Sequence, residues 1–222
     1  MSKADSGHSG GELHRLSRAS VHRFSLYLRH LERLQNEGAQ KVSSSQLGTA
    51  LGINDAQVRK DLAYLGNLGQ PGIGYPIGDL IAALRCRLGI DRPWPAVLVG
   101  VGNLARALLH YRGFQRQGFN FVALFDADAK KVGQQLDGLQ IYPPERMAEV
   151  IAQTGAELGV LAVPASAAQG VADSLVAAGI RGILNFAPTV LRLPPNVSLV
   201  SVDLAVQLEQ LAFLVHLGQH AE

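Results

Sequence analysis

Gly100-Val101-Gly102-Asn103-Leu104-Ala105 is a glycine turn of the kind that meets a pyrophosphate. Gly100 suits the tight reversal after a strand. Gly102 leaves the backbone open to phosphate oxygens, and Ala105, small in place of a third glycine, lets a following helix pack closely. The N–H groups of Asn103, Leu104 and their neighbours would then open that helix toward the phosphates, at the positive end of its dipole. Asp126 follows 24 residues after Gly102. A carboxylate there accepts hydrogen bonds from the adenosine ribose and repels a 2′-phosphate, which favours NAD(H) over NADP(H). Lys130 and Lys131 are near enough to temper that preference. The other reading is a glycine turn in some other α/β domain, with Asp126 capping a helix.

The flanking pattern is what a dinucleotide site requires. An apolar strand over 96–99 feeds the turn and a helix over 104–117 leaves it. A strand over 120–125 ends on Asp126. Helices over 145–154 and 166–178 then alternate with strands over 158–163, 181–185 and 197–202. This alternation predicts an α/β fold, a Rossmann-type parallel sheet over 96–202 with helices on both faces. A last helix begins at Asp203 within residues 203–222. Leu204, Leu208, Leu211, Leu214 and Val215 give it an apolar side too wide for an unpacked tail.

The first part of the chain is helical in pattern. Val21, Phe24, Leu28, Leu31 and Leu34 repeat at helical spacing over 20–36, and Gly38 ends the run. Ser43-Ser44-Ser45 caps a short helix containing Leu47 and Leu51. After the turn Gly52-Ile53-Asn54, Asp55 opens a helix with Val58, Leu62 and Leu65 inward. Two short helices about such a turn make a helix-turn-helix. Residues 66–78 hold five glycines and two prolines around Ile73 and Tyr75, which fits a wing of two short strands, and 80–88 reads as a closing helix. The expected organisation is a disordered Ser/Gly-rich tail over 1–14, a winged helix-turn-helix domain over 15–89 and a linker over 90–95 containing Pro93 and Pro95. The Rossmann domain and the C-terminal helix follow.

Composition narrows the function classes. No apolar run reaches transmembrane length, and the first fourteen residues lack the apolar core of a secretory signal. Cys86 is the sole cysteine, which excludes an internal disulfide and a cysteine-built metal site; it reads as a partly buried thiol in a reducing, cytoplasmic setting. Residues 1–95 carry 12 Lys/Arg against 8 Asp/Glu and the remainder 8 against 10, so the helical part is the basic one. Three readings remain: a regulator that reads a nicotinamide cofactor, a small NAD-dependent oxidoreductase with an accessory helical domain, and an NAD(H)-binding module whose winged helix meets protein. Against the enzyme, His110, His216 and His220 have no catalytic context, and the winged helix takes the place of a substrate domain.

From about Leu16 to Leu217 the sequence resembles the Rex family of redox-sensing transcriptional repressors. The resemblance rests on Gln57-Val58-Arg59-Lys60-Asp61-Leu62 with Tyr64, on Gly72-Ile73-Gly74-Tyr75, and on the glycine turn through to Tyr111. It extends to Gly182-Ile183-Leu184-Asn185-Phe186-Ala187-Pro188 and to Val202-Asp203. It implies a homodimer, not an enzyme, that binds double-stranded operator DNA and is released when NADH, the preferred cofactor form, binds. It implies that Gln57, Arg59, Lys60 and Tyr64 face the major groove, that Ser44 and Ser45 meet phosphates, and that Gly72, Gly74 and Tyr75 form the wing. The family's basic residue before that wing motif is here Pro71, which should weaken DNA affinity and its salt dependence. Val163, Pro164, Phe186 and Leu204 are implied as apolar contacts favouring the neutral, reduced nicotinamide. The C-terminal helix is implied to swap onto the partner subunit, with packing on its own domain as the alternative. Arg29, Tyr111 and Asp203 are implied as the switch.

Overall fold

The computed structural model describes residues 16–69 and 73–219. The tail over 1–14, and Gln70, Pro71 and Gly72 of the wing, lie outside the described residues. The chain divides into two compact units between Arg92 and Pro93.

The first unit runs α1 (Arg18–Asn36), β1 (Lys41–Val42), α2 (Ser44–Leu51), α3 (Asp55–Ala63), β2 (Tyr75–Pro76) and α4 (Ile77–Leu88). The Ser17 side chain caps α1, which buries Phe24, Tyr27, Leu28 and Leu31. Val21, expected in that stripe, is exposed, and Tyr27 takes its share of the core. Ser43 and Gln46 form a reciprocal capping box at the start of α2, Gly52 ends it in the left-handed conformation, and Asn54 caps α3. These local signals place the helix-turn-helix within a residue or two of its expected bounds.

The wing differs from expectation. Its described strand, β2, pairs antiparallel with β1, so Lys41 and Val42 supply the second strand from before α2. A two-residue strand carries no periodicity, and only the folded chain brings the two segments together. Gly74 is required at this junction: its φ is +85°, and a Cβ there would lie 2.7 Å from the Val42 carbonyl oxygen. Cys86, expected to be partly buried, is exposed on α4.

The second unit runs β3 (Trp94–Val99), α5 (Asn103–His110), α6 (Gly113–Arg116), β4 (Phe119–Phe125), β5 (Gln135–Leu136), β6 (Leu139–Tyr142), α7 (Met147–Thr154), β7 (Leu158–Leu161), α8 (Ala165–Ala177), β8 (Gly182–Asn185), β9 (Ser198–Ser201) and α9 (Leu204–Gln219). Strand order is β5-β6-β4-β3-β7-β8-β9, with every pairing parallel except β5 with β6. From β6 to β9 this is the doubly wound order 3-2-1-4-5-6. Val97 and Val99 enter one core layer with α7 and α8. Leu98 enters the other with Ala105 of α5, as the two-residue period of a strand buried on both faces dictates.

Around this sheet two further sequence expectations need correction and one element is additional. The linker is shorter than residues 90–95, because Trp94 and Pro95 already belong to β3. The helix expected over 104–117 breaks at Tyr111, whose backbone is extended; α6 resumes after it. The Tyr111 ring folds back over Gly113 and meets the edge of Phe114 at 5.1 Å between centroids, so aromatic packing replaces helical continuity. The β5–β6 hairpin was not anticipated. Its signal was Asp137-Gly138, with φ of 51° and 79°, the pair favoured in a two-residue hairpin turn.

One polar cluster ties α3 to α1. Asp61 is 1% exposed. Its carboxylate accepts from Arg23 Nε at 2.5 Å and Nη2 at 2.8 Å, from Tyr27 Oη at 2.8 Å and from Gln57 Nε2 at 2.8 Å. Burial pushes the carboxyl pKa up, but the hydrogen bonds from Arg23, Tyr27 and Gln57 outweigh it and hold the group below its ordinary value. With a lowered folded pKa, the stability that Asp61 contributes is complete above the unfolded value of about 4 and is lost as pH falls through the folded value. Arg23→Met strands the buried charge. We expect it to cost about 3 kcal/mol at pH 7, and part of that loss to be recovered in acid as Asp61 protonates, read by urea unfolding at neutral and acid pH.

Candidate functional site

The glycine turn after β3 is closed behind and open in front. Gly100 has φ +92°, and a Cβ there would lie 2.5 Å from the carbonyl oxygen of Ala162 and 2.8 Å from Val163 Cγ1, in the loop after β7. Only glycine permits that approach. Gly102 is the reverse case: a Cβ there would meet nothing within 4 Å. It is also the N-cap of α5, with no side chain satisfying the first N–H groups of the helix. Ala105 is fully buried where α5 packs on the sheet. The turn lies between the carboxyl ends of β3 and β7, where the strand order reverses and a doubly wound sheet opens its crevice. N–H groups without a side-chain cap among the described residues, an open approach and a helix N-terminus fit the pyrophosphate of a dinucleotide.

Asp126 stands at the end of β4, 8% exposed. Its Oδ2 accepts from the Val101 N–H at 2.7 Å and from Lys131 Nζ at 2.8 Å; its Oδ1 accepts from the Asp128 N–H at 2.8 Å. Burial raises the carboxyl pKa, and Lys131 with the two backbone donors more than reverses this, so the group is held ionised. Asp126 therefore braces the glycine turn through the Val101 N–H. A carboxylate has about four acceptor sites, which leaves room for a ribose hydroxyl. Lys131, weighed in sequence only as a cation against NAD(H) preference, is bound to this carboxylate.

In the first unit, an open cleft of about 700 Å³ runs between the start of α2, α3 and the wing, lined by Lys41, Ser43, Ser44, Arg59, Gly74 and Tyr75 among others. Ser45, Lys60 and Tyr64 are exposed. Arg59 pairs with Asp55 at 2.5 Å on the surface of α3. Gln57 is half-buried and bonded to Asp61, and Tyr75 is half-buried against the core. Lys41 was missed in sequence, since nothing in its neighbours marks β1.

Two family models match: "Putative DNA-binding protein N-terminus" over residues 15–63 and "CoA binding domain" over 91–189. The redox-sensing transcriptional repressor Rex of Pelotomaculum thermopropionicum is 49% identical, over 88% of this chain and 92% of that protein. The protein of the same name in Streptomyces coelicolor is 45% identical, over 88% and 76%. This chain belongs to the Rex family of redox-sensing transcriptional repressors. The crystal structure of RSP, a Rex-family repressor, in complex with NAD+ and operator DNA superposes with a TM-score of 0.87 at 32% identity, covering 92% of this chain and 94% of that one. RSP in complex with NADH gives 0.83 at 31% identity, covering 92% and 96%. Membership makes the chain a transcriptional regulator and removes the oxidoreductase reading. Among the described residues no helix is long and apolar enough to cross a membrane.

The remaining residues implied by Rex resemblance fall as follows. Val163 is half-buried and Pro164 exposed in the loop after β7 beside Gly100; Phe186 is half-buried after β8. Asn185, fully buried, donates to the carbonyls of Ala187 and Thr189 and accepts from the Ala187 N–H, so its amide pins the loop that carries Phe186. That pinning role was not read from sequence, where Asn185 ended a strand and stood within a stretch carrying the Rex resemblance. Leu204 is 61% exposed on α9. Asp203 Oδ1 caps α9, accepting from the Ala205 and Val206 N–H groups at 2.9 and 3.3 Å. Tyr111 is exposed at the end of α5, and Arg29 is exposed on α1 in the other unit.

The two glycines give a contrasting test. Gly100→Ala is expected to destabilise the chain by about 2 kcal/mol, through a strained φ and overlap with Ala162. Gly102→Ala is expected to stay within about 1 kcal/mol of the parent in urea unfolding. The Gly102 variant should nonetheless lose dinucleotide affinity, measured by calorimetry with NADH.

Proposed function

We propose that this chain is an NADH-responsive repressor, active in the cytoplasm, that binds palindromic operator DNA as a homodimer and leaves it when NADH binds. The observation that carries the reading is the presence, in one Rex-family chain, of a pyrophosphate-ready glycine turn and a helix-turn-helix with a basic cleft. Gly100, Gly102, Asn103, Leu104 and Ala105 hold the pyrophosphate, and Asp126 the adenosine ribose. Val163, Pro164, Phe186 and Leu204 favour a neutral nicotinamide ring over a cationic one. Ser44, Ser45 and Lys41 meet DNA phosphates, while Gln57, Arg59, Lys60 and Tyr64 on α3 face the major groove. Gly74 and Tyr75 shape the described part of the wing.

The dimer is supported by α9. Leu208, Leu211, Phe213 and Leu214 are each more than half exposed in the single chain. A second copy receiving this helix would bury them, at roughly 1.5–3 kcal/mol for each large side chain. We expect Leu211→Lys combined with Leu214→Lys to yield monomers in sedimentation velocity while the far-ultraviolet circular dichroism of the rest of the chain persists.

For the switch, Asp203 pairs with Arg29 in the DNA-competent arrangement and with the partner subunit's Tyr111 when NADH is bound. Its Oδ1 keeps the cap on α9, leaving Oδ2 to exchange partners. A ligand that takes the population from 1:99 to 99:1 must favour one state by about 5.5 kcal/mol. A gel-shift titration with a palindromic operator tests the proposal: retarded DNA that NADH releases is expected, and no DNA binding at any salt rejects it. Asp203→Ala should still bind NADH yet fail to release DNA.

A further inference from the structure

We propose that Asp61 is a positioning residue for base reading, acting through Gln57, whose side-chain amide it holds in one orientation on the first turn of α3. The inference rests on the reading of α3 as the element that enters the major groove.

Gln57 is the third residue of α3, in the part of a recognition helix that contacts base edges. A glutamine amide has an acceptor side and a donor side, and rotation about its last torsion exchanges them at little cost. Here the exchange is blocked. An ionised carboxylate only accepts, so Gln57 must turn Nε2 toward Asp61, and it does so at 2.8 Å. Its Oε1 then lies on the opposite side of the amide. Among the described residues no hydrogen bond is made to that oxygen.

The carboxylate that imposes this order is itself immobile. Asp61 is clamped by both the Nε and Nη2 atoms of Arg23 and by the Tyr27 hydroxyl, all on α1. The amide is thereby referenced to the core of the winged-helix unit and not merely to its own helix. It keeps one acceptor oxygen and one further N–H in fixed order. That order matches the N6 amine and N7 of adenine in the major groove, the pairing a glutamine makes in bidentate fashion. Freezing the torsion before DNA arrives removes part of the ordering cost of the contact. Arg59 has no such anchor: its partner Asp55 is on the exposed surface one turn earlier. On this account Gln57 supplies sequence discrimination, and the flexible cations of α3 supply mainly charge.

The test begins with selection of duplexes by the full-length protein from a randomised palindromic library. Affinities for the selected duplex and each single base-pair substitution are then measured for wild type, Gln57→Met, Asp61→Asn and the double variant. NADH affinity serves as a control on the intact second unit. The expected result is one A·T pair in each half-site at which wild type discriminates about tenfold or more and Gln57→Met does not. Asp61→Asn should lose discrimination at that same pair while keeping preference elsewhere, and the double variant should match Gln57→Met there. If Asp61→Asn does not fold, Gln57→Glu decides, since it keeps the shape but offers Asp61 no donor; it should lose the adenine preference. Retained discrimination in Gln57→Met or Gln57→Glu overturns the proposal. So does an Asp61→Asn variant that weakens every duplex equally. Failure of wild type to select any duplex overturns the DNA reading itself, a result distinct from selection followed by unchanged base preference.

Discussion

The close approach of Gly100 to the Ala162 carbonyl governs the cofactor half of the protein. The strand order reverses between β3 and β7, so the connections leaving these strands diverge to opposite faces of the sheet. At their roots they must still pass within contact distance, and the missing Cβ of Gly100 is what permits it. That approach sets the direction of α5 and hence of its unsatisfied N–H groups. Asp126 draws in a third strand end by accepting the Val101 N–H. Three strand termini, β3, β4 and β7, thus converge on one turn, and the cradle is rigid because backbone atoms build it.

Each unit is organised by one buried carboxylate. Asp61 and Asp126 lie nearly out of solvent, each held ionised by a cation and at least two further donors. A buried charge is costly unless its hydrogen-bonding capacity is met, so such a group fixes the geometry of everything that satisfies it. Asp126 locks a loop to a strand end. Asp61 locks one helix to another and orders a neighbouring amide. The two carboxylates perform the same physical task in units of different architecture, with backbone donors prominent in the Rossmann sheet and side-chain donors in the helical domain.

The last helix is built to a different rule. α9 has sixteen residues, near the length at which an isolated helix is marginal in water, and its Asp203 cap stabilises only the first turn. Its large apolar residues are spread around it and stay exposed in the single chain, so its own domain provides no core for them. The homodimer proposed above would supply that core.

Much of this was legible in the sequence, because it depends on neighbours along the chain. The glycine turn, the alternation of strands and helices, the serine and asparagine caps and the helix-turn-helix are all encoded within about ten residues of themselves. Asp137-Gly138 was equally local, and the hairpin it marks was readable though missed. Asp126 was recognisable at its place after a strand. What it binds was legible only in part: Lys131 and the Asp128 N–H lie within five residues of it, but Val101 reaches it only once β3 and β4 are paired. The pairing of β1 with β2, the break at Tyr111 and the seat of Asp61 against Arg23 and Tyr27 were decided by the tertiary structure alone. The first and the reach of Arg23 and Tyr27 to Asp61 join segments whose separation in sequence carries no periodic signal, whereas Gln57 meets Asp61 at the helical i, i+4 spacing; the break at Tyr111 trades a local helical preference for a ring contact. The sequence by itself determined most of the helices and strands and the turn suited to a phosphate. Only packing decided which distant donors, Arg23 and Tyr27 for Asp61 and Val101 for Asp126, complete the two buried carboxylates, because a buried charge is satisfied by whatever the fold brings within hydrogen-bond reach.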